Sequence, residues 1–256
     1  MNDFQDEIRR RLHDARTNQR LLDDASAFTE SSVAAKYSYN FQWQGRPIIQ
    51  YPQDIVAMQE LVWATRPDLI IETGIAHGGS LILSASLLAL LDYSDAINKG
   101  ELLDPRKPRR RVLGIDIDIR EHNREAILAH PLASHIDMLQ GSSIDPTIVA
   151  KVQHAARGYD RVMVCLDSNH THAHVLAELH SYAPLVTPGN YCIVYDTIIE
   201  DLPAGMYPDR PWDVGNNPKT AVQAFLAEHP EFAVDRDIEA KIQITVAPGG
   251  YLRRMS

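Results

Sequence analysis

The sequence predicts an α/β fold built around a central, mostly parallel β-sheet. Short apolar runs rich in Val, Ile and Leu recur along the chain, and amphipathic or apolar stretches of helical length lie between them. A polar or acidic residue ends most of these runs, as expected where parallel strands open onto a ligand site. With 256 residues and 45% hydrophobic content, the chain has room for one large domain, or for one domain with a small appendage.

The expected elements alternate regularly after an N-terminal helical region. Amphipathic spacing predicts a helix over 3–24, and Pro52 is expected in the first turn of another helix. Five strand–helix pairs follow, with 92–110 as a polar insertion: strand 68–73 and helix 79–91, 111–116 and 121–129, 135–139 and 145–156, 161–166 and 171–183, 191–195 and 218–228. Two last strands, near 232–235 and 241–247, are expected to form an antiparallel hairpin with no helix between them. This order is typical of a Rossmann-like, seven-stranded class I methyltransferase sheet with a C-terminal β-hairpin.

Composition limits the classes of partner. The net charge of −9 and the pI of about 5.6 argue against sequence-independent nucleic-acid binding, and the basic run 106–111 is expected to be a solvated loop. Cys165 and Cys192 lie in apolar runs, which favours buried free thiols in a reducing cytosol. No N-terminal signal and no apolar run near 18 residues is evident, so a soluble, cytoplasmic protein that neither spans nor binds a membrane is expected.

The segment 37–51 differs in composition from the rest of the chain. It is rich in aromatic and amide side chains and is interrupted at Gly45 and Pro47. Such a segment suits a lid over a ligand, and it equally suits an aromatic plug packed on the core. The expected organisation is an N-terminal helical segment and lid over 1–64, followed by a Rossmann-like methyltransferase domain over 65–256.

The most informative motif is the glycine-rich turn 70–80, between a short buried strand and an apolar helix. Its glycines let backbone approach a ligand, and the amides at the start of the helix face it. The spacing Gly74, Ala76, Gly79 departs from the dinucleotide fingerprint, whose ribose-binding acid lies about 20 residues further on. An acid directly before the turn, Glu72, instead suits S-adenosylmethionine, whose amino-acid end carries an ammonium group.

Polar groups end the other predicted strands, at the edge where open α/β sheets bind ligands. The carboxylate of Asp116 is placed to accept two ribose hydroxyls. The candidate cofactor-binding residues are Glu72, Gly74, His77, Gly78, Ser80, Asp116, Ser142, Ser143 and Asp167.

The densest polar stretch begins at Asp167, where a strand ends, and includes His170 three residues later. Asp167 and Asp196 end neighbouring strands and are the candidate metal ligands; two carboxylates with water suit Mg²⁺ or Ca²⁺, and an added histidine admits Mn²⁺, Fe²⁺ or Zn²⁺. The candidate catalytic residues are His170 and Asp167. An imidazole with an ordinary pKa near 6.5 suits His170 to remove a proton from a hydroxyl.

Several of these stretches together resemble the cephalosporin hydroxylase family, which includes the cephamycin-biosynthesis protein and rhamnosyl O-methyltransferases. The stretches are 37–50, 71–80, 114–118, 166–170, 174–179 and the tail from Asn217. The resemblance implies an S-adenosylmethionine-dependent methyltransferase, homo-oligomers, and Mg²⁺ at the ends of the fourth and fifth strands with an acid pair after the fifth. Here Tyr195 precedes Asp196, so one expected carboxylate is missing. In broader relatives such as catechol O-methyltransferase a base lies three residues after the first metal-binding Asp, which is the place of His170.

The predicted function is therefore S-adenosylmethionine-dependent O-methylation of a small hydroxylated metabolite, such as a sugar or an antibiotic-like natural product, with assistance from a divalent cation. An NAD(P)-dependent reductase and a non-catalytic partner protein of the same fold are the alternatives. The spacing of acid and glycines counts against the first, and Tyr195 is the one feature that favours the second.

Overall fold

The structure is a computed structural model that describes residues 2–256, with side chains from Phe4 onward. In chain order its elements are α1 (Asn2–Thr17), α2 (Gln19–Ala34), β1 (Phe41–Trp43), β2 (Arg46–Ile48), α3 (Pro52–Thr65), β3 (Leu69–Thr73), α4 (Gly79–Lys99), β4 (Arg111–Asp116), α5 (Glu121–Leu128), β5 (Ile136–Gln140), α6 (Pro146–Ala156), β6 (Val162–Leu166), α7 (His172–Tyr182), β7 (Tyr191–Val194), α8 (Pro218–Glu228), β8 (Phe232–Val234), α9 (Arg236–Ile242) and β9 (Tyr251–Arg254).

A seven-stranded sheet runs through the molecule in the order β5-β4-β3-β6-β7-β9-β8. The pairs from β5 to β7 are parallel, whereas β9 is antiparallel to both β7 and β8. The strand order reverses at β3, which pairs with β4 on one side and β6 on the other. Ligands bind such sheets outside the carboxyl ends of the strands at this reversal. The predicted fold class is confirmed.

The C-terminal strands pair as predicted, but the second one lies further along the chain. Residues 236–242 form α9, where a direct hairpin was expected, and the last strand is 251–254 instead of 241–247. The Asp235 side chain accepts a hydrogen bond from the Asp237 amide and so caps α9. Ile242 and Ala247 are buried in the core without joining the sheet, and their apolar character produced the strand-like pattern.

Helices cover both faces of the sheet, and successive strand residues alternate between the two layers. Ile70 and Cys165 belong to the core cluster under α3 and α4, whereas Ile71 and Cys192 belong to the cluster under α6, α7 and α8. Both cysteines are buried and free, as predicted. The side chain of Glu72 shares the α3/α4 face with Ile70, because residues two apart on a strand point the same way.

The predicted N-terminal helix is two helices that meet at Asn18, whose side chain accepts a hydrogen bond from the Leu21 amide and caps α2. The segment 37–51 forms the β1–β2 hairpin, which turns at Gln44 and Gly45, both with positive φ. Its end is packed on the core: the Tyr51 hydroxyl lies 2.6 Å from Ser32 Oγ. These are the contacts of an aromatic plug; the division at residue 64 and a lid movement stay predictions.

The polar insertion expected over 92–110 begins later than predicted, and the basic run 106–111 is not solvated throughout. Helix α4 continues to Lys99, and Arg110 is 3% exposed instead of solvated. Its guanidinium donates to Asp92 at 2.6 Å and to Asp95 at 2.7 Å, two residues on the same face of α4. This ion cluster lies where the strands begin, opposite the edge that carries the predicted site. The basic run 106–111 gave no sign in the sequence that Arg110 is buried and paired with acids.

One helix, α4, is long and apolar enough by length and composition to cross a membrane, which the expectation of no such run had missed. Serines interrupt its apolar residues, so that no continuous apolar run is seen in the sequence. In this structure 61% of its most apolar window is buried, as in the core helix of a globular domain.

Gly74→Ala should destabilise the fold by about 3 kcal/mol, because φ is +90° there and an added Cβ would overlap the carbonyl oxygen of Asp167. Gly45→Ala is the matched control, since φ is +86° but the space is open; it should cost about 1 kcal/mol. Urea unfolding of both variants measures the difference. Equal losses would show that β3 and β6 do not need this close approach.

Candidate functional site

The glycine turn between β3 and α4 is ordered by hydrogen bonds to the carboxylate of Asp116. One carboxylate oxygen, Oδ2, accepts the backbone amides of Ile75 at 2.8 Å and Ala76 at 3.2 Å, and Oδ1 accepts the Asp118 amide at 3.0 Å. Ala76 adopts a left-handed conformation with φ of 46°. A carboxylate offers about four acceptor positions, so Asp116 keeps capacity for a ligand. Its position at the end of β4 is as predicted, whereas its role in ordering the turn was missed.

The outer side of the same turn is bridged by two residues that the sequence did not single out. Arg46 of β2 donates to the His77 carbonyl at 2.9 Å and to Asn123 Oδ1 at 2.9 Å. Asn123 in turn donates to the Ala76 carbonyl at 2.9 Å. Gly78, with φ of +83°, caps α4 directly after His77. The N-terminal hairpin therefore supports the loop that is predicted to bind the cofactor.

Glu72 is buried on the α3/α4 side of β3. Its carboxylate accepts the Ser80 hydroxyl, as well as that of Ser84 at 3.5 Å. Burial, opposed in part by these two hydrogen bonds, raises its pKa from 4.5 to about 7. The predicted pair Glu72 and Ser80 thus lies together. They line a small cavity together with Gln50, Met58, Leu83, Ser84, Cys165, Asp167 and Tyr195.

The two predicted metal ligands and the predicted base lie together where β6 and β7 end. One ligand atom each from Asp167, His170 and Asp196 lies within 4.8 Å of the others. His170 Nε2 is 3.2 Å from Asp196 Oδ2. Burial and then the charges of Asp196 and Glu72 raise the pKa of Asp167 well above its ordinary value. Asp196 is placed by a sharp turn, with φ of 56°.

Tyr195, which stands where the resemblance implies an acid, is buried in the core cluster below this group and lines the cavity shared with Glu72 and Asp167. Burial raises the pKa of its hydroxyl well above the ordinary value, so it is a neutral phenol. Tyr195 therefore supplies a polar wall to the cavity and brings no charge to the site.

Ser142 and Ser143, which were predicted after β5 as cofactor-binding residues, lie in two different environments. Ser143 is buried, and its hydroxyl lies 3.0 Å from His174 Nε2. The Ser168 hydroxyl donates to the fully buried Glu178 at 2.6 Å and also lies 3.3 Å from His174. Ser143 is thus committed to α7, whereas Ser142 is half-buried at the strand end. The cofactor contacts expected of Ser142 and Ser143 stay predictions.

Asp54 is a buried acid of the same region that the sequence did not reveal. It is 0% exposed and accepts hydrogen bonds from the Val246 amide at 3.0 Å and the Tyr251 hydroxyl at 2.7 Å. Burial raises its pKa from 3.8 to about 6, and the charge of Asp196 adds to the rise. Its apolar neighbours in α3 gave no sign of an internal carboxylate. Through this residue the helix α3 is tied to the C-terminal strand.

These acids share one electrostatic property. Within residues 4–256, none of Glu72, Asp167, Asp196 and Glu178 has a Lys or Arg within ion-pair distance; Asp196 and Glu178 have histidine neighbours only. Uncompensated carboxylates in a partly buried site favour cationic ligands, because isolated buried charges are otherwise costly. The donor set therefore fits a divalent cation and a positively charged cofactor.

Comparison with known proteins assigns the family. Residues 35–255 match the family described as Rhamnosyl O-methyltransferase/CmcI. The chain belongs to this family. A Rhamnosyl O-methyltransferase of Mycobacterium bovis is 28% identical over 207 residues, which cover 78% of this chain and 73% of that protein. The Rhamnosyl O-methyltransferase of Mycobacterium leprae is 27% identical over 216 residues, covering 83% and 82% of the two chains.

Among solved structures, CmcI with Mg and SAM is 21% identical, covers 85% of this chain and 78% of that chain, and has a TM-score of 0.54. At this level of identity the likeness concerns the fold. The predicted resemblance and the predicted enzyme class, a methyltransferase, are confirmed by the family.

Glu72→Gln should stabilise the protein without its ligands at pH 8 by about 2–3 kcal/mol and have little effect near pH 4. The folded-state pKa is raised from 4.5 to about 7, so ionisation opposes folding and stability falls as pH rises through this window. The amide removes that loss and keeps the shape of the side chain. Urea unfolding between pH 4 and 8 tests this, with the exposed Glu125→Gln as control. Parallel curves for wild type and Glu72→Gln would contradict it.

Proposed function

We propose that this methyltransferase transfers the methyl group of S-adenosylmethionine to a hydroxyl of a sugar, or of a sugar-bearing or antibiotic-like natural product. Family membership and the relatives named Rhamnosyl O-methyltransferase support the reaction and the substrate class. The observation that carries the proposal is the group of carboxylates without basic partners beside the glycine turn. A sulfonium, an ammonium group and a divalent cation are the charges such a site is built to hold.

The cofactor is proposed to lie along the carboxyl ends of β3, β4 and β5. Glu72 and the cavity that it lines would face the ammonium end, and Asp116 would accept the ribose hydroxyls. Gly74 and Gly78 keep the turn free of side chains, so its backbone can approach the ligand. Gln50 is 4% exposed and lines the same cavity, which adds a polar amide from the N-terminal segment to this end of the site.

A divalent cation is proposed on Asp167 and Asp196. The raised pKa of Asp167 reflects burial and repulsion from Asp196, and a bound cation removes both penalties. When bound, the cation polarises the acceptor oxygen and lowers the pKa of its hydroxyl. With two protein carboxylates most coordination positions stay open, which predicts weak binding that chelators reverse.

His170 is proposed as the general base. Its Nε2 lies 3.2 Å from Asp196 Oδ2, so the carboxylate favours a proton on Nε2 and leaves Nδ1 to accept the hydroxyl proton. The hydroxyl oxygen then attacks the sulfonium methyl group in line, and the closed site supplies positioning.

Assembly into homo-oligomers stays a prediction. The exposed apolar side chains of α3 and α4, which include Trp63, Leu90, Tyr93 and Ile97, are what such an assembly would bury. The acceptor itself is not encoded in a motif, because it depends on the shape of the pocket.

Asp116→Ala should weaken S-adenosylhomocysteine binding at least tenfold, through the loss of charge-assisted hydrogen bonds and of order in the glycine turn. Asp118→Ala is the matched control, since its side chain is exposed beside Asp116. Isothermal calorimetry measures both affinities. Unchanged affinity in Asp116→Ala would remove the ribose assignment.

His170→Gln should lower kcat by about 10²–10⁴-fold, because the amide cannot take the hydroxyl proton, and should leave Mg²⁺ affinity unchanged. Asp196→Asn should weaken Mg²⁺ binding at least tenfold. The exposed His154→Gln is the control for a histidine change remote from the site. If His170→Gln instead loses Mg²⁺ affinity as Asp196→Asn does, His170 is a metal ligand and the base lies elsewhere.

A further inference from the structure

A long loop, residues 202–216, follows Asp196 in the chain and is fixed to the rest of the protein by hydrogen bonds. Asn217 is 0% exposed and donates to the carboxylate of Glu200 as well as to the Asp213 carbonyl at 3.0 Å. The Asp213 carboxylate accepts the Gly205 amide at 2.9 Å and so closes the loop on itself. Buried hydrogen bonds of this kind make the loop a fixed wall of the site.

Trp212 of this loop packs directly on the proposed base. The ring centroids of Trp212 and His170 are 4.6 Å apart with an interplanar angle of 86°. The Arg210 guanidinium lies 5.3 Å from the centroid of the same indole ring. Arg210 is exposed, and it makes no ion pair with any residue from 4 to 256. Trp212 itself is only partly buried, so part of its indole ring is accessible from solvent beside His170.

The same loop places a second aromatic residue, Tyr207, near Asp196. Tyr207 is half-buried, and its pKa is raised to about 12, mainly by burial and then by the charges of Asp196 and of the tyrosines at 39 and 51. Tyr39, on the N-terminal segment, is 61% exposed. Tyr207 therefore lies near both Asp196 and Tyr39, which brings together aromatic side chains from two distant parts of the chain.

We propose that Trp212 is the residue that selects the acceptor, by stacking its indole on the apolar face of a deoxyhexose ring. The carboxylates and His170 attract the hydroxyl side of such a ring, and the indole offers the large, rigid apolar surface that its C–H face and methyl group require. Arg210 moves aside when the sugar binds. The inference rests on the proposed function and names the substrate class of the same site: a pyranose with one apolar face.

The test uses Trp212→Ala and Trp212→Phe in the full chain, with Trp63→Ala as the matched control, because Trp63 is 52% exposed on α3, outside the site. With methyl rhamnoside as acceptor, Trp212→Ala should raise KM at least tenfold and Trp212→Phe should restore most of the loss. S-adenosylhomocysteine affinity and the dependence of kcat on pH should match wild type in both. Binding of the glycoside should quench tryptophan fluorescence in wild type and in Trp63→Ala, and not in Trp212→Ala.

The outcomes separate this inference from the proposed function. If wild type binds S-adenosylhomocysteine and methylates a hydroxylated acceptor, yet Trp212→Ala keeps its KM, the proposed stacking on Trp212 is wrong and the proposed function stands. A fall in kcat with a changed pH dependence and an unchanged KM also overturns the proposed stacking, since Trp212 would then only orient His170. If wild type binds neither S-adenosylhomocysteine nor any glycoside, the proposed function fails first.

Discussion

The constraint on which the proposed site depends is the gathering of carboxylates at one edge of the sheet, with no Lys or Arg partner for them among residues 4–256. Parallel strands end at the same edge, so Glu72, Asp167 and Asp196 are forced together by the topology. The fold tolerates them in the absence of ligands because serine hydroxyls donate to Glu72 and because the pKa values of Glu72 and Asp167 are raised, which keeps a proton available. Cationic ligands would supply the positive charge that balances these carboxylates.

At the opposite edge of the sheet, where the strands begin, acids are paired with arginines. There Arg110 is buried and pairs with Asp92 and Asp95, while Arg161 pairs with Asp68 at 2.9 Å. The chain thus places its internal arginine among acids where the strands begin, and leaves the acids unpaired where the strands end. The charges of the paired cluster satisfy one another, whereas the carboxylates of the other cluster are left for the proposed cationic ligands.

Local patterns in the sequence were enough for the parallel strands of the sheet and for the polar residues that end them, whereas the last strand was placed too early in the chain. Strand 111–116 and helix 218–228 were predicted with their observed bounds, because periodicity and Pro or Gly boundaries are local signals. The misses arise from contacts between distant segments: the burial of Arg110, the carboxylate of Asp54 under the C-terminal strand, and Trp212 on His170. Such contacts leave no period in the sequence.

Charge also explains how a site of this kind turns over. S-adenosylmethionine carries a sulfonium that its product lacks, so methyl transfer at the proposed cofactor position removes one positive charge from beside Glu72 and Asp167. The attraction that holds the cofactor therefore weakens when the reaction is complete, by an amount that grows as the local dielectric falls. His170 is proposed to take the hydroxyl proton on Nδ1, and the positive charge that its ring gains then lies beside Asp196 until a proton leaves to solvent. At the proposed site, acids without a Lys or Arg partner among residues 4–256 thus favour the sulfonium form of the cofactor over its product without any movement of the fold.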